Sequence, residues 1–414
     1  MNIAIVGSGI SGLTCAHLLH RRHSITLFEA DDRLGGHTNT VRVDLAEETH
    51  DVDTGFIVHN DRNYPGFQRL LEHVEVETQP TNMSFSVFDG NGFEYNGSSA
   101  NGLFACRSHL VKPSFHRMVI DLLRFNREAR SLVGLNGSGP SLGEFLDAGG
   151  YSRAFVERLI VPQASAVWSA DPTQTWELPA SFLAEFFDNH GMFSLRDRPS
   201  WRSVKGGASR YVEALSAPFA DRVRTSTPIA SIRRHGDRVE VIPQGGEAES
   251  FDQVIVAAHS DQALAMLADP TPAEHEVLGA IPYQPNEVAL HTDSSQLPRR
   301  RRARASWNFH LEPEQSGKTT VTYLMNRLQP LESESQICVT LNRNERIDPE
   351  RVIETIQYSH PIFTGAGIAA QGRWAEVSGA RRTHYCGAYW GFGFHEDGVA
   401  SALRVCERFG EELR

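Results

Sequence analysis

Cysteine is scarce in this chain: Cys15, Cys106, Cys338, Cys386 and Cys406 are an odd number and include no CxxC pair. A disulfide framework and a cysteine-held zinc site are therefore not expected, and the thiols should stay reduced in a cytoplasmic protein. No apolar run approaches the roughly 18 residues that a membrane-spanning helix needs, although contact with a membrane surface stays open. The opening residues Met1-Asn2-Ile3-Ala4-Ile5-Val6 carry no basic stretch and soon meet glycines, unlike a signal peptide. The 18 histidines show no HExxH or other ligand spacing, and His17, His20 and His23 read as a solvated helix end, so no metal is expected. Positive charge is in deficit too. Forty Lys and Arg against 51 Asp and Glu leave −11, which argues against wrapping a nucleic acid.

Against these absences stands an ordinary globular composition: 414 residues, 40% hydrophobic and 22% charged, enough for a large core. The first thirty residues are the most informative. Ile3-Ala4-Ile5-Val6 is a short buried-strand run, followed at once by Gly7-Ser8-Gly9-Ile10-Ser11-Gly12 and a helix-like stretch. Residues 24–29 make a second strand ending in Glu29. In this strand, GxGxxG, helix, strand, acid order, Gly7 permits the turn and Gly9 admits a pyrophosphate. Gly12 lets helix and strand pack, and the helix N-terminus around Ile10 and Ser11 offers free N–H groups. Glu29, with Ala30 beside it, is placed to hold an adenosine ribose; an acid there favours FAD or NAD over NADP.

Residues 33–40, Arg33-Leu34-Gly35-Gly36-His37-Thr38-Asn39-Thr40, add a second glycine pair that a plain nicotinamide enzyme does not need. This run resembles the RxGGR segment of the flavin-containing amine oxidase and phytoene desaturase superfamily. Asp51-Val52-Asp53-Thr54-Gly55-Phe56, Lys205-Gly206-Gly207 and the strand ending at Ala257 resemble further family elements. So does the glycine- and aromatic-rich run Tyr385–Val399. The resemblance implies non-covalent FAD, since no Ser-Gly-Gly-Cys-Tyr stretch exists. It also implies pyrophosphate and flavin contacts at Arg33, Gly35, Gly36, His37, Gly55 and Phe56, and adenine contact at the Ile229 backbone. Ala257 and Gly387 join the set, as does a last helix whose N-terminus, Glu396-Asp397-Gly398-Val399, meets the flavin edge. The implied fold class is α/β: a Rossmann-like FAD-binding domain (1–83, 200–265 and 356–414) with an inserted α+β substrate domain (84–199 and 266–355).

A narrower resemblance rests on Tyr283-Gln284-Pro285-Asn286-Glu287, His291-Thr292-Asp293, Ala305-Ser306-Trp307-Asn308 and Cys386-Gly387-Ala388-Tyr389-Trp390-Gly391. It points to bacterial FAD-binding oxidoreductases related to the N-terminal domain of plant cyclopropane fatty acid synthases. That implies a lipid or fatty acyl substrate and a lipid methyltransferase partner. The family's flavin-side lysine is missing, and the aligned strand 286–290 offers Glu287. His37 replaces the second arginine of RxGGR, and Ala388 stands where many relatives carry an acid. The leading expectation is an FAD-dependent desaturase or dehydrogenase of modified fatty acyl chains, with hydride passing to flavin N5. The alternatives are an amine oxidase and a non-catalytic flavin-binding accessory protein. Glu287, His291, His310 and His395 are candidate bases, left unranked. The aromatics Trp168, Trp176, Phe182, Phe186, Phe187, Phe193 and Trp201 would suit an acyl tunnel or ordinary core. The run from Arg299 to Arg304 is either a solvated loop or a peripheral contact with anionic lipid at the inner face of a membrane. No second glycine loop has the flanks for NAD(P)H, so electrons would leave to oxygen, a quinone or a partner.

Overall fold

The computed structural model describes residues 1–45, 48–135, 137–194, 198–312 and 317–413. Short apolar runs without alternation form a parallel sheet, whose strands are covered on both faces. Its order is Val223–Arg224, Ser24–Phe28, Asn2–Val6, Gln253–Val256, Thr383–Tyr385, and every neighbouring pair is parallel. Ile3, Ala4 and Ile5 are wholly buried at its centre. The helix Ile10–Leu19 carries no exposed stripe because it lies between this sheet and the C-terminal helix His395–Glu407. A smaller antiparallel sheet, Ile229–Arg234, Val239–Pro243 and Glu249–Phe251, packs into the same core.

That sheet is fastened by a buried ion pair. Arg234, whose side chain is fully buried, binds the carboxylate of Glu274. Glu274 also accepts from Tyr385 Oη at 2.7 Å and from Thr271 N at 2.8 Å. One carboxylate thus joins the small sheet, the helix Pro272–Leu278 that it caps, and the edge strand of the parallel sheet.

The second core belongs to a seven-stranded sheet ordered Val352–Pro361, Tyr283–His291, Cys338–Leu341, Val321–Leu324, Trp307–His310, Phe85–Phe88, Glu94–Asn96. All its pairings are antiparallel except that of Trp307–His310 with Phe85–Phe88. Helices Pro113–Glu128, Val161–Trp168 and Ala180–Asn189 bury aromatic residues in this core, and Leu142–Gly149 buries Leu142 and Leu146. Asp89 sits in the turn of the hairpin Phe85–Phe88 with Glu94–Asn96, Pro113 opens its helix, and Ser141 and Glu144 form a capping box.

The segment boundaries move in two places. Residues 356–361, expected with the nucleotide sheet, are the end of a ten-residue strand paired along Tyr283–His291. Helix Pro272–Leu278, expected in the substrate domain, buries Val277 and Leu278 in the first core. Strand and helix periodicity reveals an element's exposed face, not which sheet receives it.

Candidate functional site

The carboxyl ends of parallel strands are where doubly wound sheets bind ligands, and the expected residues gather there. Gly7, at φ +100°, makes the turn after the first strand. A β-carbon on Gly12 would overlap the Gly7 carbonyl, so helix and loop meet only because that position is bare. At Gly9 the same test finds no atom within 4 Å, and at Gly36 it finds only Gly9 itself. Glycine is thus required at Gly7 and Gly12 by protein, whereas the space before Gly9 is open.

Ser8, which the glycine pattern passes over, fastens three elements. Its N–H and hydroxyl donate to Glu29 at 2.8 and 2.5 Å, and its carbonyl accepts from Gly35 N at 3.1 Å. A small residue between two glycines is the only signal that could have marked it. Glu29 also accepts from Asp31 N at 3.0 Å, and its carbonyl takes Thr227 N at 2.7 Å, bringing the Ile229 strand to the ribose end. Ala30 is exposed beside it. Arg33 folds back to donate to the carbonyls of Gly36 and Thr38, so it stiffens the glycine pair. Gly55 lies against the His37 carbonyl, which accepts from Phe56 N at 2.9 Å. Ala257 continues the strand beside Gly7.

From the other end of the chain, Ser11 Oγ donates to the Gly398 carbonyl at 2.9 Å, and a β-carbon on Gly398 would press on Ile10. The N-termini of the first and last helices therefore converge on one spot, each with free N–H groups and a positive dipole end. Gly387 N is held by Ser401 Oγ at 2.9 Å, and Val399 is buried. Asp397 caps its own helix through Phe394 N at 2.9 Å, and burial pushes its carboxyl up to about 6. The Glu396 carboxylate caps a neighbouring helix: its oxygens accept from Gly66 N and Phe67 N at 2.9 and 2.8 Å, at the start of the helix Pro65–His73. A carboxylate prefers unsatisfied helix N–H groups to a phosphate-binding edge. The open space at Gly9, the two helix ends and the ribose-side acid together fit a dinucleotide of the FAD type.

The candidate bases separate. Glu287 bonds Asn344 on the side of its strand away from this edge, because residues alternate and Gln284 and Asn286 take the inner side. His291 and His310 sit inside the seven-stranded sheet, on Thr340 at 2.7 Å and Thr322 at 2.8 Å. Neither of these two, nor Glu287, joins the cofactor loops. His395 does: it stacks on Phe56 at 3.4 Å and lies 2.8 Å from Tyr211 Oη and 3.0 Å from Thr38 Oγ1. Burial lowers it to about 3, so it is neutral and held as a hydrogen-bonding spacer.

A different imidazole group fills the junction between the two cores. His37 stacks on Tyr358 at 4.8 Å, with His360 at 5.3 Å and His259 at 5.7 Å. Its buried Nε2 has no hydrogen-bond partner among the described residues. Burial, reinforced by the neighbouring His360 and His259, holds it well below its usual range. Asn286, fully buried, donates to His360 Nδ1 at 2.8 Å and accepts from Asn342 at 2.8 Å. Strand parity could have chosen Asn286 over Glu287; nothing in the sequence brings His259 and His360 to His37.

Aromatic rings wall the other side. Phe394, at the start of the last helix, stacks on Phe186 at 5.4 Å, and Phe392 lies 4.7 Å from Phe182. Trp168 Nε1 donates to the Phe392 carbonyl at 3.0 Å, tying the second core to the glycine-rich loop.

Residues 10–409 match the family model described as flavin containing amine oxidoreductase. A Mycobacterium tuberculosis protein named as a flavin-containing monoamine oxidase, AofH, is 27% identical over 297 residues. Those residues are 67% of this chain and 61% of that relative, so the chain spans less than two thirds of its length. Among solved structures, a CLA-producing fatty acid isomerase from P. acnes aligns with a TM-score of 0.71 at 15% identity, over 98% of both chains. Cyclohexylamine oxidase from Brevibacterium oxydans aligns at 0.69 and 15%, over 99% of both. With a family model matched over nearly all of its length, the chain belongs to the flavin-containing amine oxidoreductases, a family of FAD-dependent oxidoreductases.

Proposed function

We propose that this protein dehydrogenates an apolar chain, the acyl chain of a lipid, at the edge where the aromatic wall meets the last helix. The observation that carries this reading is the wall itself: Trp168, Phe182, Phe186, Phe392 and Phe394 run from the second core to the helix N-terminus. The strand Tyr283–His291 facing the junction carries Asn286 and no lysine. FAD, when bound, supplies a hydride acceptor. The chain's own residues do the rest. The rings exclude water from an apolar substrate. We assign the proton to His37 at Nε2, the ring nitrogen without a hydrogen-bond partner among the described residues, on an imidazole that burial keeps neutral. The N–H groups of the last helix offset negative charge that develops at its end.

The test follows the visible flavin band anaerobically as phospholipids and then amines are added. Bleaching by lipids with unsaturated, cyclopropane or methyl-branched chains supports the reading. Bleaching by amines alone overturns it in favour of amine oxidation, the activity in the relative's name. A band that nothing bleaches overturns it in favour of an accessory role beside a lipid methyltransferase. His37→Gln is expected to keep its flavin and to slow lipid-driven bleaching by about 10²–10⁴-fold, the usual worth of a positioned base. An unchanged rate would remove His37 from the mechanism.

A further inference from the structure

No helix among the described residues is long and apolar enough to cross a membrane. Yet exposed apolar side chains are concentrated in one place. Of the large hydrophobic residues exposed among the described residues, Leu110, Val111, Ile120, Leu123, Val133 and Leu135 all fall within one 26-residue stretch. Leu110 and Val111, at 50% and 83% exposure, form the tip before the helix Pro113–Glu128. On that helix the outer stripe reads Arg117, Ile120, Leu123, Arg127, continuing to Arg130, so two apolar residues lie between cations. Residues 107–135 hold six Lys and Arg and two acids, in a chain of net charge −11. Of the acids, Asp121 is buried and holds Arg117 and Ser152, and Glu128 accepts from Tyr151.

The arginine run belongs to the same neighbourhood. Arg300 binds buried Glu94, and Asn96 donates to the Arg304 carbonyl, which fixes the run beside the hairpin leading into this stretch. Burial lowers the basicity of His109, and Lys112, Arg158 and Arg300 nearby lower it further. Arg299, Arg301 and Arg302 are exposed and make no ion pair among the described residues. Arg299 also borders an open groove of about 870 Å³ with Arg304, Arg346 and Arg351. Asp293, Glu345 and Asp348 line it as well, but Asp293 is spent on the backbone N–H groups of Ser295 and Asp348, and Asp348 on Arg351.

We infer that this face, the Leu110–Val111 tip, the outer stripe of Pro113–Glu128 and the arginines 299–302, docks on an anionic phospholipid bilayer. A helix with apolar residues flanked by cations lies in a bilayer interface rather than through it. A second copy of the chain suits the face less well, because a twofold contact would set the same cations against each other. The inner side of the helix buries Phe115, Met118 and Phe125. From Phe125, ring contacts pass through Phe187 at 6.3 Å and Phe186 at 6.3 Å to Phe394 at 5.4 Å. The bilayer would thus sit over the aromatic core that extends to the candidate site. That last link rests on the acyl reading; the docking does not.

The test is cosedimentation of the flavin-loaded protein with vesicles of phosphatidylglycerol and phosphatidylcholine, against phosphatidylcholine alone. Binding to the anionic vesicles that weakens in high salt is expected. Leu110→Asp with Val111→Asp should weaken it at least about tenfold, and Arg301→Glu with Arg302→Glu by about fivefold or more per arginine. These side chains are exposed, so unchanged melting and flavin content will show that the variants fold. No binding of the wild type, or equal binding of the variants, overturns the inference. So does a dimer that the Leu110/Val111 variant dissolves while vesicles are ignored, which would put a second copy on the face. Vesicle binding with bleaching by amines alone leaves the docking standing and removes only the acyl reading.

Discussion

Gly9→Val is expected to give a folded protein that carries no flavin. The position has ordinary backbone angles, φ −61° and ψ 177°, and a β-carbon there would touch no protein atom. The substitution therefore costs the fold little and fills the space before the converging helix ends, where a pyrophosphate would lie. Gly12→Val in the same loop should behave oppositely. Its side chain would drive into the Gly7 carbonyl, and the expected outcome is a protein that fails to fold. The ratio of flavin to protein absorbance, read beside a circular dichroism melt, separates the two. A Gly9→Val protein with its full flavin complement would refute the placement of the cofactor.

Glu274→Ala should cost about 3–5 kcal/mol, since it strands the buried Arg234 guanidinium without its partner. The loss should appear as a lower urea midpoint with flavin retained below the transition. Glu274 also sets a pH dependence. Although burial works the other way, its bonds to Arg234, Thr271 and Tyr385 hold its carboxyl below the usual glutamate value. An acid with a depressed native pKa contributes stability that is complete above the unfolded value and is lost as pH falls through the folded one. Wild type should therefore weaken in acid more steeply than Glu274→Gln. Parallel acid limbs for the two proteins would show that the carboxylate is not the group concerned.

The parts of the site legible in sequence are those whose chemistry is local. Gly7, Gly9, Gly12 and Glu29 lie within one strand–helix–strand unit, where spacing alone fixes geometry. Arg33, Gly35 and Gly36 follow within a few residues: Gly35 N is held by Ser8, and Arg33 donates to the Gly36 carbonyl. What escaped depends on distant pairing. Glu287 was a plausible base only while the parity of its strand was unknown; the register with Val352–Pro361 turns Asn286 inward instead. His360 lies 323 positions beyond His37 in sequence, and no periodicity links them. Nor does the sequence show that the Glu396 carboxylate meets two backbone N–H groups of the helix Pro65–His73.

The same long reach has a consequence for biogenesis. The hydrogen bond from Ser11 to Gly398 closes the cofactor cradle across almost the whole chain of 414 residues. During synthesis the glycine loop emerges well before the edge strand Thr383–Tyr385 and the last helix. The nascent protein therefore holds half a cradle until those later elements follow. Capture of FAD waits for them, and a variant that lacks the last helix should forfeit the cofactor although the glycine fingerprint is intact.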